Sequence, residues 1–352
     1  MNFIKPKFWD LKKPNLLSKI LIIFTFPLVI NNFLAKLKTK KKFENIKTIC
    51  IGNIYLGGTG KTPSVIKVYN LLKKLDFKVA TAKKFYKSQL DEQILLKKRT
   101  NLILASSRKK IIKKAIELNN DFLIFDDGLQ DKNIDYGLKV VCFDAKNWIG
   151  NGQLIPAGPL REKLTSLKKY DAVFLKNGKE NTKEIIKMIN PNIKIFNTFY
   201  EITNYKKFKP KTKYLTFSGI GNPYEFKSFL LENNFNIIDE IIYPDHFNYR
   251  TRDIENIKKR ANDLDAKIIT TEKDFVKILE KDRSNIDYIE ISLKIHNEES
   301  LKNFIISKIN EKNLIFFGIH CNIFFTNYLQ NFRYKFFFNI FRISFKNNRS
   351  IF

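Results

Sequence analysis

The stretch Ile51-Gly52-Asn53-Ile54-Tyr55-Leu56-Gly57-Gly58-Thr59-Gly60-Lys61-Thr62-Pro63 decides how this chain is read. It follows a short apolar run, Ile49-Cys50-Ile51, and precedes apolar residues at helical spacing, Val65, Val68, Leu71, Leu72 and Leu75. Strand, glycine-rich loop and helix in that order is the context of a phosphate-binding loop. Glycine lets backbone N–H groups turn toward an anion without a Cβ in the way. The helix N-terminus adds free donors and a partial positive charge. In this reading Tyr55, Leu56, Gly57, Gly58, Thr59 and Gly60 wrap the phosphates of ATP. Lys61 reaches the terminal phosphates and the Thr62 hydroxyl faces Mg²⁺. The strict pattern has a glycine where Tyr55 stands, so the loop is a variant. A plain glycine-rich turn is the alternative, but such turns rarely end in Gly-Lys-Thr at a helix start.

Outward from the loop, residues 44–200 alternate strand-like and helical runs. The strands are expected at Thr48–Ile54, Val79–Ala82, Leu102–Ala105, Phe122–Phe125, Lys139–Phe143, Ala172–Leu175 and Ile193–Phe196. This is the βαβ pattern of a parallel sheet covered on both faces. A second α/β series occupies 201–317, with strands at Tyr214–Phe217, Ile237–Tyr243, Lys267–Thr270 and Ile286–Ile291. Its helices are expected at Tyr224–Asn233, Arg252–Leu264, Glu272–Glu280 and Ser300–Glu311. Asn197–Lys213, polar and rich in Lys and Tyr, reads as the linker. The fold class is therefore α/β: a P-loop kinase-type parallel sheet domain, a second smaller α/β domain, and an N-terminal membrane-contacting segment.

That segment is residues 1–43. Its apolar run, Ile20 to Ile30, is shorter than the about 20 residues a spanning helix needs. Lysines flank it on both sides, at Lys12, Lys13 and Lys19 and again from Lys36 to Lys42. Positive charge on both sides favours a helix lying on the inner leaflet of a membrane over one that crosses it. Residues 318–352 form a basic, aromatic tail. The 352 residues carry 64 Lys and Arg against 35 Asp and Glu, a net charge of +29. Such an excess suits a polyanionic or phosphorylated partner. The cations are spread along the chain with no DNA or RNA motif beside them, so no nucleic acid is expected. Cys50, Cys142 and Cys321 are far apart and suggest neither a zinc site nor a disulfide framework.

Other clusters point to chemistry. Phe122-Leu123-Ile124-Phe125 delivers Asp126-Asp127-Gly128-Leu129-Gln130 to the edge of the sheet where the loop opens, and paired carboxylates there suit Mg²⁺. Asp91-Glu92 opens a helical run and could simply complement its dipole. Asp245-His246-Phe247 follows a strand end, a plausible base or orienting pair. Leu154-Ile155-Pro156-Ala157-Gly158-Pro159-Leu160-Arg161-Glu162 reads as a stiff loop presenting an ion pair, and Thr270-Thr271-Glu272-Lys273-Asp274 as a strand end capping a helix.

Taken together, the order and spacing of these motifs resemble the tetraacyldisaccharide 4′-kinase family of lipid A synthesis. Gly150-Asn151-Gly152 and Ser218-Gly219-Ile220 belong to the same set, and the resemblance runs from about residue 6 to 317. It implies a two-domain enzyme that moves the γ-phosphate of ATP to the 4′-hydroxyl of a tetraacylated glucosamine disaccharide 1-phosphate, giving lipid IVA. It also implies that Asp91 and His246 form the base, and that Lys61 and the loop amides hold the phosphates. Thr62, Asp126 and Asp127 would organise Mg²⁺, and Glu92, Gln130, Arg161 and Glu162 would line the site. The chain departs from the family at Lys83-Lys84-Phe85-Tyr86, where Ser-Arg-Gly-Tyr is usual, at Gln93 and at Asp131. The rival reading is a P-loop ATPase of the partitioning or arsenical-pump type, which wants a Lys where Leu56 stands.

Overall fold

The computed structural model describes residues 5–209 and 211–308. The tail 318–352, with Cys321, lies outside these residues, as do the last residues of the helix expected at Ser300–Glu311. The chain forms a unit up to Glu299 and a second unit from Ser300, whose described residues 300–308 are helical.

In chain order the first half runs α1 (Leu16–Leu21), α2 (Phe26–Leu37), β1 (Lys47–Gly52), α3 (Lys61–Lys73), β2 (Val79–Lys84), α4 (Leu90–Arg99), β3 (Leu102–Ala105), α5 (Arg108–Glu117), β4 (Phe122–Asp126) and β5 (Leu138–Asp144). The second half runs β6 (Ala172–Lys176), α6 (Glu180–Ile189), β7 (Lys194–Ile202), β8 (Lys213–Ser218), α7 (Pro223–Glu232), β9 (Asn236–Ile242), α8 (Thr251–Asp263), β10 (Lys267–Thr271), α9 (Glu272–Phe275), β11 (Ile286–Ile289) and β12 (Ile291–Ile295). Eight strands make one sheet in the order β12-β7-β6-β5-β1-β4-β2-β3, and four make another, β11-β10-β8-β9.

β4 and β6 are buried at every residue, and β1 at all but its first. Unbroken apolar runs of this kind mark parallel strands with both faces covered. On one face α3 presses Val65, Val68, Leu71 and Leu72 inward. Phe125, Val141, Phe143 and Ile112 share a single buried cluster. β1 pairs with β4 on one side, Ile51 beside Asp126, and with β5 on the other, Gly52 beside Val141. The chain leaves β1 for β2 and returns to lay β4 between them. Strand order therefore reverses around β1, and the crevice at such a reversal is where open α/β sheets bind ligands.

Two stretches differ from the reading by sequence. β7 continues through Ile202, so the first six residues of the expected linker are strand. The single strand expected at Ile286–Ile291 is two. β11 pairs parallel with β10, and β12 runs antiparallel along β7, Ile291 beside Ile202 and Ile295 beside Thr198. β7 pairs with β6 only over Lys194–Thr198, and β12, nearly a hundred residues later, supplies the partners from Thr198 to Ile202, so the chain re-enters its first sheet. The helix expected over Glu272–Glu280 is only α9. Arg283 Nε takes the Ile278 carbonyl at 3.0 Å, and the chain turns there instead of continuing.

At the N-terminus Pro27, lacking an N–H, ends one helix and starts the next. α1 passes through a 3-10 turn, Ile22–Thr25, into α2, where Pro27 occupies the first turn. One side of this bent helix docks. Asn151 Nδ2 donates to Ser18 Oγ at 2.8 Å and to the Ala157 carbonyl at 3.0 Å, and its backbone N–H meets the Trp9 carbonyl at 2.9 Å. Asn32 Nδ2 donates to the Arg161 carbonyl at 3.1 Å, and Leu28 and Val29 pack on Tyr55, Leu154 and Leu160. Asn151→Ala strips two buried acceptors of their donor. We expect a loss of about 1–3 kcal/mol in urea unfolding, with proteolysis first cutting within residues 10–35.

Candidate active site

The phosphate-binding loop is held from both sides. Asn53, fully buried, donates through Nδ2 to Thr59 Oγ1 at 3.0 Å and to the Gly57 carbonyl at 3.3 Å. Leu56 N–H bonds the Pro159 carbonyl at 2.8 Å and Arg161 N–H the Ile54 carbonyl at 2.7 Å, so the Pro-Gly loop runs beside the phosphate loop as a splint. Gly60 closes the turn at φ +81, a left-handed conformation that suits glycine, and α3 begins at Lys61. Tyr55 is 2 % exposed, and its hydroxyl donates to Asp10 Oδ1 at 2.9 Å. Its side chain is thus a strut to the N-terminal segment, and only its backbone is available to a phosphate.

β4 ends beside this loop. Thr62 Oγ1 donates to Asp126 Oδ2 at 3.0 Å. Asp126 Oδ1 is buried with no hydrogen-bond partner among the described residues. Asp127 sits at φ +65, which swings its carboxylate toward Arg161 Nη1 (3.0 Å) and Lys61 Nζ (4.0 Å). Strained backbone of this kind persists where a site over-determines it.

On the facing wall His246 Nδ1 lies 2.9 Å from Asp91 Oδ2 and 3.0 Å from Oδ1. Asp91 opens α4, between β2 and β3 of the large sheet. His246 follows β9 of the small sheet, at φ +58. Residues 155 apart in sequence meet across a cleft of 1590 Å³ that also exposes Lys61 and Thr62. Asp245, the neighbour that sequence alone pairs with His246, has its carboxylate 3.8 Å from Nε2. Burial alone pushes the Asp91 carboxyl upward. The His246 hydrogen bond and the Lys273 charge outweigh it, and its pKa lies below the ordinary carboxylate value. An ionised Asp91 accepts from an Nδ1–H of His246, and that tautomer leaves Nε2 as an acceptor.

The remaining residues divide. Glu92 accepts from Lys83 Nζ at 2.6 Å and Lys273 Nζ at 3.3 Å. Burial raises its pKa, but Lys273, Lys83 and Lys61 together hold it well below the usual range. Asp127 is held low too, burial being outweighed by Lys61 and Arg161. Groups with depressed folded pKa values add stability above their unfolded pKa and lose it as pH falls. Acid therefore loosens this site. Gln130 donates to the Asn53 carbonyl and to Glu162 Oε1, both at 3.0 Å. Glu162 is buried with its carboxylate taken by Gln130, Tyr170 and Lys169. It braces the loop from behind and forms no pair with Arg161, which turns to Asp127 instead.

A family model described as Tetraacyldisaccharide-1-P 4′-kinase (LpxK) matches residues 15–310. The chain belongs to that family. It is 45% identical over 320 residues to the tetraacyldisaccharide 4′-kinase of Pelagibacter ubique (strain HTCC1062), covering 89% of this chain and 100% of the relative. The enzyme of that name from Rickettsia bellii (strain OSU 85-389) is 34% identical, with 88% and 99% covered. Among solved structures, LpxK from Aquifex aeolicus in complex with ATP shares the fold. It gives a TM-score of 0.64 at 23% identity, covering 84% of this chain and 100% of that one. Family membership leaves the partitioning or arsenical-pump ATPase reading unfavoured.

For a member of the tetraacyldisaccharide 4′-kinase family, two residues take site roles that the motifs do not reveal. Lys83, 3 % exposed, stands where serine is usual and bonds Asp126 Oδ2 at 2.9 Å as well as Glu92. Burial lowers its pKa, but the two carboxylates more than restore it, so it is a fixed cation. Arg108 ties Asp131 (3.0 Å) to the Asp127 carbonyl (2.9 Å), holding the turn after β4. Lys83 directly follows the strand expected at Val79–Ala82, but nothing local shows that Glu92 and Asp126 converge on it there. Arg108 reads as an ordinary helix-surface cation, and only the strand order brings it under Asp127.

Proposed function

We infer that this chain transfers the γ-phosphate of ATP to the 4′-hydroxyl of a tetraacylated glucosamine disaccharide 1-phosphate, giving lipid IVA. The observation that carries the reading is the Asp91–His246 pair facing the loop that presents Lys61 and Thr62. A hydroxyl proton acceptor across one cleft from a phosphate cradle is the arrangement a small-molecule kinase needs.

The loop amides and Lys61 bind the β- and γ-phosphates and spread the charge that develops during transfer. The acceptor hydroxyl donates its proton to His246 Nε2 while Asp91 fixes the tautomer and stabilises the imidazolium. Arg161 stays beside Asp127 and Lys61 at the phosphate end. Thr62 and Asp126 suit Mg²⁺: a hydroxyl and a carboxylate, one of whose buried oxygens has no partner among the described residues. Among the described residues no cluster of three acidic, His or Cys ligands exists. Mg²⁺ normally binds through one or two carboxylates plus phosphate oxygens and water. With Asp127 nearby, these residues would hold the ion, which when bound neutralises phosphate charge. A recess of 490 Å³ beside Arg161, lined by Lys84, Arg108 and Lys132, offers cations to the phosphate that the acceptor already carries.

The acceptor's acyl chains need an apolar surface, and α1–α2 supply one. Ser18 and Thr25 are buried against the protein, whereas Leu16 (75%), Ile23 (76%), Phe24 (64%) and Phe26 (65%) are exposed. Residues 16–34 are long and apolar enough to cross a membrane, at a mean hydropathy of 1.8. Both ends are nevertheless tied to the same unit, Ser18 by Asn151 and Asn32 by the Arg161 carbonyl. A helix bound at both ends to one side lies on the bilayer rather than through it. We place it on the cytoplasmic face of the inner membrane, where ATP is available. Ile23→Asp with Phe24→Asp changes only exposed side chains. It should lower co-sedimentation with anionic lipid vesicles at least about tenfold, and unchanged co-sedimentation would refute the anchor. The function itself is tested by incubating the full chain with ATP, Mg²⁺ and the tetraacyl disaccharide 1-phosphate in mixed micelles. One added phosphate is expected, and folded, ATP-binding protein that adds none would overturn the reading.

A further inference from the structure

Lys273 is held on the small sheet by a rigid local frame. Thr271 caps α9 by accepting from the Asp274 N–H at 3.0 Å. Buried Asp274 is gripped by Tyr249 and Lys277. Glu272 receives both Arg99 Nη2 contacts at 3.0 Å and Lys98 at 3.1 Å, which fastens α9 to the far end of α4. From this frame the Lys273 ammonium reaches across the cleft to the first turn of α4. It stands 3.3 Å from Glu92 Oε1, 3.5 Å from Asp91 Oδ2 and 3.5 Å from Asp245 Oδ1. Two of these carboxylates flank the imidazole of His246, Asp91 at Nδ1 and Asp245 toward Nε2.

We propose that Lys273 is a positioning residue for the proton-accepting pair, its ammonium holding Asp91 against His246 Nδ1 and balancing Asp91, Glu92 and Asp245. This inference rests on the kinase reading above. Two further carboxylates, Glu92 and Asp245, crowd the pair, and the incoming phosphates bring more negative charge. Without a cation between them, Asp91 would bind a proton or turn from His246, and the Nδ1–H tautomer would lose its partner. Lys61 and Lys83 reach this group only through Glu92, so neither replaces the contact to Asp91. Burial lowers the Lys273 pKa, but Glu92, Asp245 and Asp91 raise it further, and it stays charged across the working range.

The test is the pH dependence of kcat/KM for the full chain, with ATP affinity measured in parallel. Lys273→Met should move the acid limb to higher pH by about one unit, because losing a positive charge favours the protonated pair. ATP affinity should change less than about twofold, since Lys273 touches none of the loop residues. Lys273→Arg should return the limb toward its original place. Asp245→Asn, which removes a negative charge at the same point, should move it the other way. That variant keeps the proposal falsifiable if Lys273→Met does not fold. Rates that fall equally at every pH in Lys273→Met, or a limb unmoved in Asp245→Asn, would make Lys273 a strut and overturn the proposal. If the unmodified chain itself transfers no phosphate, the kinase reading fails first.

Discussion

Asp91→Asn should lower turnover by about 10²- to 10⁴-fold while ATP still binds. Asparagine keeps the shape of the side chain and removes its charge. The amide can no longer compel His246 to carry its proton on Nδ1, so the ring loses its fixed tautomer and the imidazolium its counter-ion. Asp91 opens α4 on the wall opposite the phosphate loop, and its side chain meets His246 and Lys273 rather than the loop glycines. Equilibrium ATP binding, followed by a fluorescent analogue, should therefore stay within a few fold of normal. His246→Ala should fall to a similar rate. The double variant should be little worse than either single one, because two residues acting as one base are strongly non-additive. Additive losses would mean that the two side chains act separately.

Lys61→Ala should cost about 10²- to 10³-fold in kcat/KM and weaken ATP binding too. The Lys61 ammonium stands at the helix start, 4.0 Å from Asp127, where terminal phosphates would sit on the loop amides. Its loss leaves Arg161 and Lys83 as nearby cations, one turned to Asp127 and the other fixed between Asp126 and Glu92. Neither is free to follow the moving phosphoryl group. Lys61→Arg should recover little, because a planar fork does not replace a compact ammonium at the mouth of a tight loop. Pre-steady-state phosphate transfer separates the two losses, since binding changes the concentration dependence and chemistry changes the limiting rate.

The features legible in the sequence are those written locally. The glycine loop, the apolar run before Asp126-Asp127 and the Pro-Ala-Gly-Pro turn each carry their meaning within ten residues. The large sheet followed from unbroken apolar strands. β12 did not, because five residues that join a distant strand have no local signature. Asp91 beside His246 was implied only through resemblance, since local reading offers Asp245 as the partner. Lys83 and Lys273 were hidden for a related reason. A lysine in a chain with 64 basic residues looks like surface until topology buries it against carboxylates. Tyr55 is the converse. It occupies a glycine position in the loop pattern and looks neutral there, yet its hydroxyl binds Asp10, 45 residues earlier, and ties the N-terminal segment to the loop.

The most direct test of the whole account is where the phosphate goes. The full chain is incubated with ATP, Mg²⁺ and the tetraacyl disaccharide 1-phosphate in micelles, and the lipid product is analysed by phosphorus–proton correlation NMR. The account predicts one new phosphomonoester, on the 4′ oxygen, formed in equal amount with ADP and absent with Asp91→Asn. ADP released without phosphorylated lipid, or phosphate on any other oxygen, would contradict it.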